Sequence, residues 1–379
     1  MSGGPTDLST PPVSNKKINV LYLQPGTTVF AGIERVVDTI CSEIGKTYKD
    51  DFNVDVLLVS EHLNHPPEPR GYTIIRRPVS SRRGLMWAFR SVTREKRYDL
   101  VVVPQIEPVV IYWFSCLGLR QRIAMHLHGN PRRESGHLKA KFLFFLLKHL
   151  ILRRVSSVFG TSPRQLKAFR DDFNCRRPLV WVPNPVRTFQ VPGRDDKPAP
   201  GIVTFVNVGR YAYQKGQDIL IDAFAKLYAH RQDIRLRLVG HGADERALAD
   251  QIRRLGLSDV VTLEHHPDNP QRVLYASDVF VATSRWEGWS LAICEALRCG
   301  LPVVSTDCEF GPSDILVDRR LGRLVPPGDE AALVDAMAYY CAHIAEERSH
   351  ADFRRNNIDQ YSVEKVAKIH AQAIKQAIA

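Results

Sequence analysis

Short apolar runs alternate with amphipathic segments along most of this chain. The stretches KKINVLYLQPG, RYDLVVVPQ and RIAMHLHGN are almost continuously apolar, which is typical of strands that are covered on both faces. The segment AGIERVVDTICSEI carries apolar residues at helical spacing. Strands that alternate with helices predict parallel sheets built from βα units.

The alternation of apolar strands with amphipathic helices is interrupted once along the chain and then resumes. The stretch QVPGRDDKPAPG is polar and rich in Pro and Gly, and the strands IVTFVNVGR, IRLRLVGHG, VVTLEHH, DVFVATS and PVVSTD follow it. We predict an α/β protein in which two Rossmann-like domains face each other across a cleft, where ligands bind at the carboxyl ends of strands. The predicted parts are a disordered lead at 1–15, an N-terminal domain at 16–190, a linker at 191–201, a C-terminal domain at 202–355 and a helix at 356–379 that packs back on the N-terminal domain.

Length and charge support two domains with different partners. A chain of 379 residues is too long for one ordinary core. The net charge of +11 is uneven, because residues 1–190 carry 29 Lys and Arg against 15 Asp and Glu, whereas residues 191–379 carry 23 against 26. The first half therefore favours an anionic partner such as a phosphorylated lipid, a membrane surface or a nucleic acid. A merely solubilising surface is the alternative.

The cysteines and the apolar runs bear on location. Seven cysteines form no CxxC pair, which predicts free thiols in a reducing compartment. The opening MSGGPTDLSTPPVSNKK has no apolar signal region, and no uncharged apolar run approaches the roughly 18 residues of a membrane span. We expect a cytoplasmic protein.

Two acids frame the start of one helix. Glu287 lies in the loop RWEGW after the strand DVFVATS, and Glu295 lies further on, inside a helix that Ser290 caps and Gly300 ends. Gly288 lets a ligand approach the backbone, and the helix amides suit an anion. Carboxylates beside them suit hydroxyls, so the group favours a sugar attached to a phosphate. A capped surface helix with incidental acids is the alternative.

A second element supports the phosphate. Arg210 follows a strand, and Lys215 and Gly216 precede a helix, which predicts a clamp of two cations at a strand-to-helix turn. The chain contains neither GxGxxG nor GxxxxGK[ST], which disfavours dinucleotide and P-loop sites. It has no DxD motif and no convincing cluster of metal ligands, so we expect no metal and no cofactor.

These motifs together resemble a known family. The stretches VGRYAYQKGQDILIDAF, LVGHG, SRWEGWSLAICEALRCGLPVVSTD and GPSDIL are similar to the C-terminal half of family-four retaining glycosyltransferases with the GT-B fold. A weaker likeness lies in AGIERVV, HLHGN and VPNPV. The run STDCEFGPSDIL resembles members that build bacterial surface polysaccharides, lipopolysaccharide and lipid-linked glycans.

The resemblance implies roles in the C-terminal domain. Arg210 and Lys215 would hold the pyrophosphate of a nucleotide-sugar donor, Glu295 the ribose hydroxyls, and Glu287 the sugar near the reacting carbon. The backbone of Gly288, Trp289, Ser290 and Leu291 would offer amides, and LEHHPD at 263–268 would cradle the base.

It also implies roles in the N-terminal domain. Gly32, with Gly26, would lie in the loop over the diphosphate, and His128 would approach the donor sugar, whereas His126 reads as a core or lining histidine. This chain departs from the family in having Asn184-Pro185 where Asn-Gly is usual, and Gly-Trp-Ser at the acid pair. We expect the bulk of Trp289 to alter the choice of sugar.

The implied reaction moves a sugar from a UDP-sugar or GDP-mannose, with a slight preference for UDP, to an acceptor hydroxyl with retention. Catalytic roles fall to Glu287, His128, Arg210 and Lys215. The basic segment HLKAKFLFFLLKHLILRR reads as a buried helix with basic ends rather than one that dips into lipid. We nevertheless expect the basic domain to attach peripherally to an anionic membrane surface that carries a glycan or lipid-linked acceptor.

Three alternatives compete. A nucleic-acid-binding protein is disfavoured, because aromatic residues do not interleave with the basic ones. A GT-B phosphorylase would need a pyridoxal-phosphate lysine context that is not evident. A catalytically silent relative, acting as a scaffold for a nucleotide sugar or anionic lipid, is disfavoured by the intact acid pair and cation clamp.

Overall fold

The computed structural model describes residues 16–24, 32–60, 70–132, 138–188, 201–266 and 270–379. The predicted lead at 1–15, Gly26, and all of the predicted linker except Gly201 lie outside these residues.

The first half forms a parallel sheet of seven strands in the order β3-β2-β1-β4-β5-β6-β7. Alternate side chains leave the sheet on opposite faces, so Val20 and Tyr22 enter one apolar cluster while Leu21 and Leu23 enter another. The strands are β1 (Ile18–Leu23), β2 (Phe52–Leu58), β3 (Thr73–Arg76), β4 (Leu100–Pro104), β5 (Ile123–Leu127), β6 (Val155–Gly160) and β7 (Leu179–Trp181).

Helices cover both faces of this sheet. They are α1 (Gly32–Thr47), α2 (Arg82–Glu95), α3 (Ile106–Ser115), α4 (Leu138–Leu146) and α5 (Pro163–Phe173). Helix α1 packs on one face, and α2, α3 and α5 share the apolar cluster on the other. A π-helical turn (Leu147–Ile151) and a 3₁₀ turn (Leu152–Arg154) continue α4 into β6.

The segment around α4 corrects one prediction. The apolar run Phe142–Leu147 was expected to be buried, and Leu147 is. Phe142 and Phe145, however, are 61% and 58% exposed. The run has an outer face because only one side of the helix reaches the sheet.

The second half forms a parallel sheet of six strands in the order β10-β9-β8-β11-β12-β13. The strands are β8 (Val203–Val208), β9 (Ile234–Val239), β10 (Val261–Glu264), β11 (Val279–Ala282), β12 (Val303–Thr306) and β13 (Gly322–Val325). The helices are α6 (Gln217–His230), α7 (Glu245–Arg254), α8 (Pro270–Tyr275), α9 (Leu291–Arg298), α10 (Pro312–Ile315), α11 (Glu330–Ser349), α12 (Ala351–Ile358) and α13 (Val363–Ile378).

The last helix returns to the first sheet. Helix α13 packs against α1, and its Ile374 is fully buried there. The Nζ of Lys375 lies 2.8 Å from Oδ2 of Asp51. The returning helix begins at Val363 rather than at residue 356, which lies within α12.

All seven cysteines are buried, and none forms a disulfide. Within the described ranges, none of the helices combines the length and apolar character needed to cross a bilayer.

Candidate active site

A tight turn after β8 carries Lys215. A 3₁₀ turn (Tyr213–Lys215) leads to Gly216, whose φ of 65° is left-handed, and α6 begins at the next residue. A Cβ on Gly216 would overlap the carbonyl oxygen of Thr283, so the turn approaches the end of β11 as closely as a glycine allows. Thr283 also donates its hydroxyl to the Gly216 carbonyl at 2.7 Å.

The close approach brings Lys215 and Glu287 together. The Nζ of Lys215 lies 2.5 Å from Oε1 of Glu287, and the Ser284 hydroxyl donates to the same oxygen at 2.8 Å. The Glu287 residue is only 5% exposed. Among the described residues Oε2 has no hydrogen-bond partner, so one carboxylate oxygen holds the lysine and the other is available to a hydroxyl.

A second ion pair, which no sequence pattern predicted, joins the same two loops. Arg285 donates to both carboxylate oxygens of Asp218 at 2.9 and 2.6 Å. Its guanidinium also lies over the ring of Tyr213, with Cζ 3.9 Å from the centroid. Gln214 donates to the carbonyl of Trp286 at 3.0 Å. These contacts hold the turn of Lys215 in register with the loop of Glu287.

Arg210, the other predicted cation, lies next to this turn. Its side chain is exposed and makes no ion pair with any residue in the described ranges. The preceding Gly209 packs beside the side chains of Lys215 and Gln217, and Gln217 donates to the Arg210 carbonyl at 3.1 Å. The geometry therefore brings both predicted cations to one turn and leaves Arg210 open to a ligand.

The loop of Glu287 touches the N-terminal half at His128. A Cβ on Gly288 would overlap the carbonyl oxygen of His128, so these two backbones are in contact across the interface between the halves. Burial lowers the pKa of His128 to about 4, and the nearby side chain of Asn184, which favours the protonated ring, opposes that shift. His128 is therefore neutral near pH 7.

His128 belongs to a group of three buried histidines. The rings of His126 and His128 are 3.9 Å apart, and His370 of α13 lies 5.2 Å from His126. Burial also lowers the pKa of His126 and that of His370, the latter to about 3. No sequence pattern pointed to His370, because it lies on a helix about 240 residues away that only the fold returns to this sheet.

Glu295 has a partner that no sequence pattern predicted. Nη2 of Arg187, just beyond β7, lies 3.3 Å from Oε1 of Glu295. Burial raises the pKa of the Glu295 carboxyl, and the charges of Arg187 and Arg35 oppose that shift. Glu295, the residue predicted to bind the ribose, therefore lies at the junction of the halves beside two arginines of the N-terminal half.

The remaining predicted residues lie at the two helix starts. Ser290 is the N-cap residue of α9, without a side-chain capping bond, and Leu291 is its first residue. Gly32 is the exposed first residue of α1. The indole of Trp289 is only 5% exposed and packs edge-on against Tyr361, 5.1 Å away. Its bulk lies in the core, so its effect on the choice of sugar, which stays a prediction, would be exerted from beneath the loop.

The predicted base-binding segment is only partly described. Glu264 accepts two hydrogen bonds from Arg237 at 2.7 Å each, which help to hold the pKa of its carboxyl near 2 against the effect of burial. The rings of His265 and His241 lie 5.3 Å apart. Asp268 lies outside the described residues.

Polar contacts also tie the two halves together beside this site. Glu309 accepts from Asn130 at 2.7 Å and from Arg132 at 2.5 Å, and Ser162 donates to Asp314 at 2.5 Å. Both acids belong to the run STDCEFGPSDIL, which therefore contacts both halves. The described residues contain no cluster of three or more His, Cys, Asp or Glu side chains that could hold a metal ion.

Comparison with known proteins identifies the family. The family described as "Glycosyl transferases group 1" matches residues 202–343, and "Glycosyl transferase 4-like domain" matches residues 32–185. The amylovoran biosynthesis glycosyltransferase AmsD of Erwinia amylovora is 31% identical over 311 residues, which cover 79% of this chain and 84% of AmsD. The chain belongs to the group 1 glycosyl transferases.

Other relatives of this glycosyltransferase are matched over shorter segments. The lipopolysaccharide core biosynthesis mannosyltransferase LpsB of Rhizobium meliloti is 32% identical over 232 residues, 56% of this chain and 60% of LpsB. Several curated relatives, LpsB among them, are covered over less than two thirds of their own length.

A solved structure confirms the predicted GT-B fold of this glycosyltransferase. Anabaena Alr3699/HepE, crystallised with UDP and glucose, superposes with a TM-score of 0.74 at 20% identity. The superposition covers 94% of this chain and 99% of HepE. At that identity the likeness supports the fold alone.

Proposed function

We propose that this glycosyltransferase transfers a sugar from a nucleoside-diphosphate donor to an acceptor hydroxyl, with retention at the anomeric carbon. The observation that carries the proposal is the turn of Lys215. The turn holds Lys215 beside Glu287, and the exposed side chain of Arg210 lies next to it. Two cations beside the first turns of α6 and α9 suit a diphosphate, and Oε2 of Glu287, without a partner among the described residues, suits a sugar hydroxyl.

In the proposed reaction the bond between the anomeric carbon and the diphosphate oxygen breaks while the acceptor oxygen bonds to the same carbon on the same face. The acceptor proton passes to the departing phosphate oxygen. Lys215, Arg210 and the helix amides stabilise the negative charge that develops on the diphosphate, because they are positioned before the reaction. We propose that these groups replace a divalent metal, and that no cofactor takes part.

The other site residues orient the donor. Neutral His128 can donate or accept a hydrogen bond at the sugar without adding charge. We propose that Glu295 holds the ribose, which requires the ribose hydroxyls to share or replace its contact with Arg187. The amides of Gly288 to Leu291 and the open start of α1 at Gly32 would face the sugar and the diphosphate.

We propose a UDP-sugar as the donor, with GDP-mannose as the second candidate. HepE was crystallised with UDP and glucose, whereas LpsB is named as a mannosyltransferase. The relatives' names, lipopolysaccharide core and amylovoran biosynthesis, support a polysaccharide or lipid-linked glycan as the acceptor. The excess positive charge of residues 1–190 supports attachment to an anionic membrane that presents it.

Release of nucleoside diphosphate from a panel of UDP- and GDP-sugars tests the activity. We expect turnover with one donor, and a loss of about a hundredfold or more in Lys215→Met and in Glu287→Gln. Lys226→Met is the matched control, since Lys226 is an exposed lysine paired with Glu330 elsewhere on the domain. Unchanged turnover in the first two variants would contradict the catalytic assignment, and binding without turnover would favour the scaffold.

A further inference from the structure

Exposed apolar side chains are concentrated in one part of the N-terminal half. Trp87 is 67% exposed, and Phe142 and Phe145 are 61% and 58% exposed. Seven of the eleven large apolar side chains exposed among the described residues lie between α2 and the π-helical turn, so they are not scattered singly over the surface. We call these seven the docking face: Met86, Trp87, Phe114, Leu117, Phe142, Phe145 and Leu150.

The fold places these residues in one layer. Helices α2 and α3 and the π-helical turn cover the same face of the first sheet, with α2 packed on α3 and α3 on α4. Their inner residues, such as Phe89 and Leu147, fill one apolar cluster. Their exposed residues therefore point away from the same side of the molecule.

Basic side chains lie one helical turn from the largest of these aromatics. Arg83 and Arg90 lie four before and three after Trp87, and Lys141 and Lys148 lie four before and three after Phe145. The segments 82–95, 106–117 and 138–154 together contain nine Lys and Arg against two Asp and Glu.

The two acids are already neutralised. Glu95 pairs with Arg77 at 3.0 Å, and Glu107 pairs with Arg82 at 3.3 Å. The aromatics of the docking face therefore lie among Lys and Arg that outnumber the acids of the same segments by nine to two.

We infer that the docking face binds an anionic lipid bilayer, with its aromatics at the level of the headgroups and the neighbouring Lys and Arg on the lipid phosphates. A second copy of the chain is a poorer occupant, because a two-fold contact would bring the same positive charges together. The inference deepens the membrane attachment within the proposed function and rests on it. Because α4 follows β5 and the loop of His128, one end of the docking face lies near the cleft.

Co-sedimentation with vesicles tests the inference without any sugar nucleotide. We expect the full chain to bind vesicles of phosphatidylcholine with phosphatidylglycerol and to dissociate from them at high salt. It should not bind vesicles of phosphatidylcholine alone. Phe142→Ser/Phe145→Ser should weaken binding at least tenfold, and so should Arg83→Glu/Lys141→Glu. Val317→Ser is the matched control, since Val317 is 70% exposed and lies in the other half.

Quenching by brominated lipid tests which face touches the bilayer. Anionic vesicles that contain lipid brominated near the headgroup should quench part of the tryptophan fluorescence. Trp87→Phe should abolish that quenching, whereas Trp181→Phe, a change to a 39% exposed tryptophan off the docking face, should leave it intact.

Two results would overturn the inference. One is vesicle binding that survives both double variants. The other is a dimer in light scattering that Phe142→Ser/Phe145→Ser dissociates, with no binding to anionic vesicles by the native chain. Failure of the donor panel alongside normal vesicle binding would instead count against the proposed reaction.

Discussion

At the scale of single residues, the site depends on how closely two backbones approach. Lys215 reaches Glu287 because Gly216 takes a left-handed conformation against Thr283, and Gly288 allows the contact with His128 because it has no side chain. The charged pair is therefore positioned by residues that carry no chemistry themselves.

Gly216→Ala should lower the free energy of unfolding by about 1 kcal/mol, because alanine is strained at a positive φ. Overlap of the new Cβ with Thr283 should lower it by about 1–3 kcal/mol more. Urea denaturation measures both. Gly256→Ala is the matched control, because Gly256 has a φ of 68° with no atom near a Cβ. Equal losses in the two variants would show that the close approach to Thr283 contributes nothing.

The residues of this site were easier to predict from sequence than their contacts. Glu287, Lys215 and Arg210 were found because a strand followed by a loop and a helix determines where such residues lie. The pairs Arg187–Glu295 and Arg285–Asp218 were not found, since they join segments 108 and 67 residues apart that no local pattern connects. The contact of Trp289 with Tyr361 was not found for the same reason, because Tyr361 lies beyond the second sheet in the chain.

At the scale of elements, α13 is part of the first sheet's core although it ends the chain. Ile374→Ala should lower the free energy of unfolding by about 2–5 kcal/mol, since it leaves a cavity at a fully buried position. Ile378→Ala, four residues later on the same helix, removes a half-buried side chain and should cost clearly less. Urea midpoints compare the two, and a small effect at Ile374 would mean that α13 is docked only loosely.

The buried histidines at the contact between the end of β5 and α13 also make the free energy of unfolding depend on pH. Burial lowers the pKa of His128 to about 4 and that of His370 to about 3, against 6.5 for an ordinary histidine. Below about pH 6.5 these histidines therefore bind protons in the unfolded chain but stay neutral in the folded chain. The free energy of unfolding should fall as the pH drops from about 6.5 towards 4.

His370→Asn should reduce that fall by up to about 1.4 kcal/mol per pH unit, because one such proton is removed. Urea denaturation between pH 7 and 5 measures the slope. His343→Asn is a control at an exposed histidine of α11. Identical slopes in the native chain and His370→Asn would show that folding does not lower the pKa of His370.

Periodicity predicted most strands but missed helices that lack a clear period. Helix α3 is apolar on most sides, so its sequence reads as a continuation of β4. The run at α4 was predicted to be buried for a related reason: a nearly uniform apolar segment does not show which of its sides will face the sheet.

At the scale of the whole molecule, two sheets are joined by polar bridges and by a helix that returns to the first half. The bridge residues Asn130, Arg132 and Ser162 come from loops after β5 and β6, and their partners follow β12, Glu309 in the loop and Asp314 in α10. The predicted cleft and fold class were accessible from sequence, because both follow from alternating strands and helices. The contacts across the cleft were not.

A donor-dependent rise in melting temperature is the sharpest test of a diphosphate site at the turn of Lys215, because a ligand that binds only the folded chain stabilises it by mass action. We expect one nucleotide sugar among UDP-glucose, UDP-galactose, UDP-N-acetylglucosamine and GDP-mannose to raise Tm in the native chain and in Lys226→Met, but not in Lys215→Met. A panel without any shift in the native chain, or an equal shift in Lys215→Met, would rule out such a site at this turn.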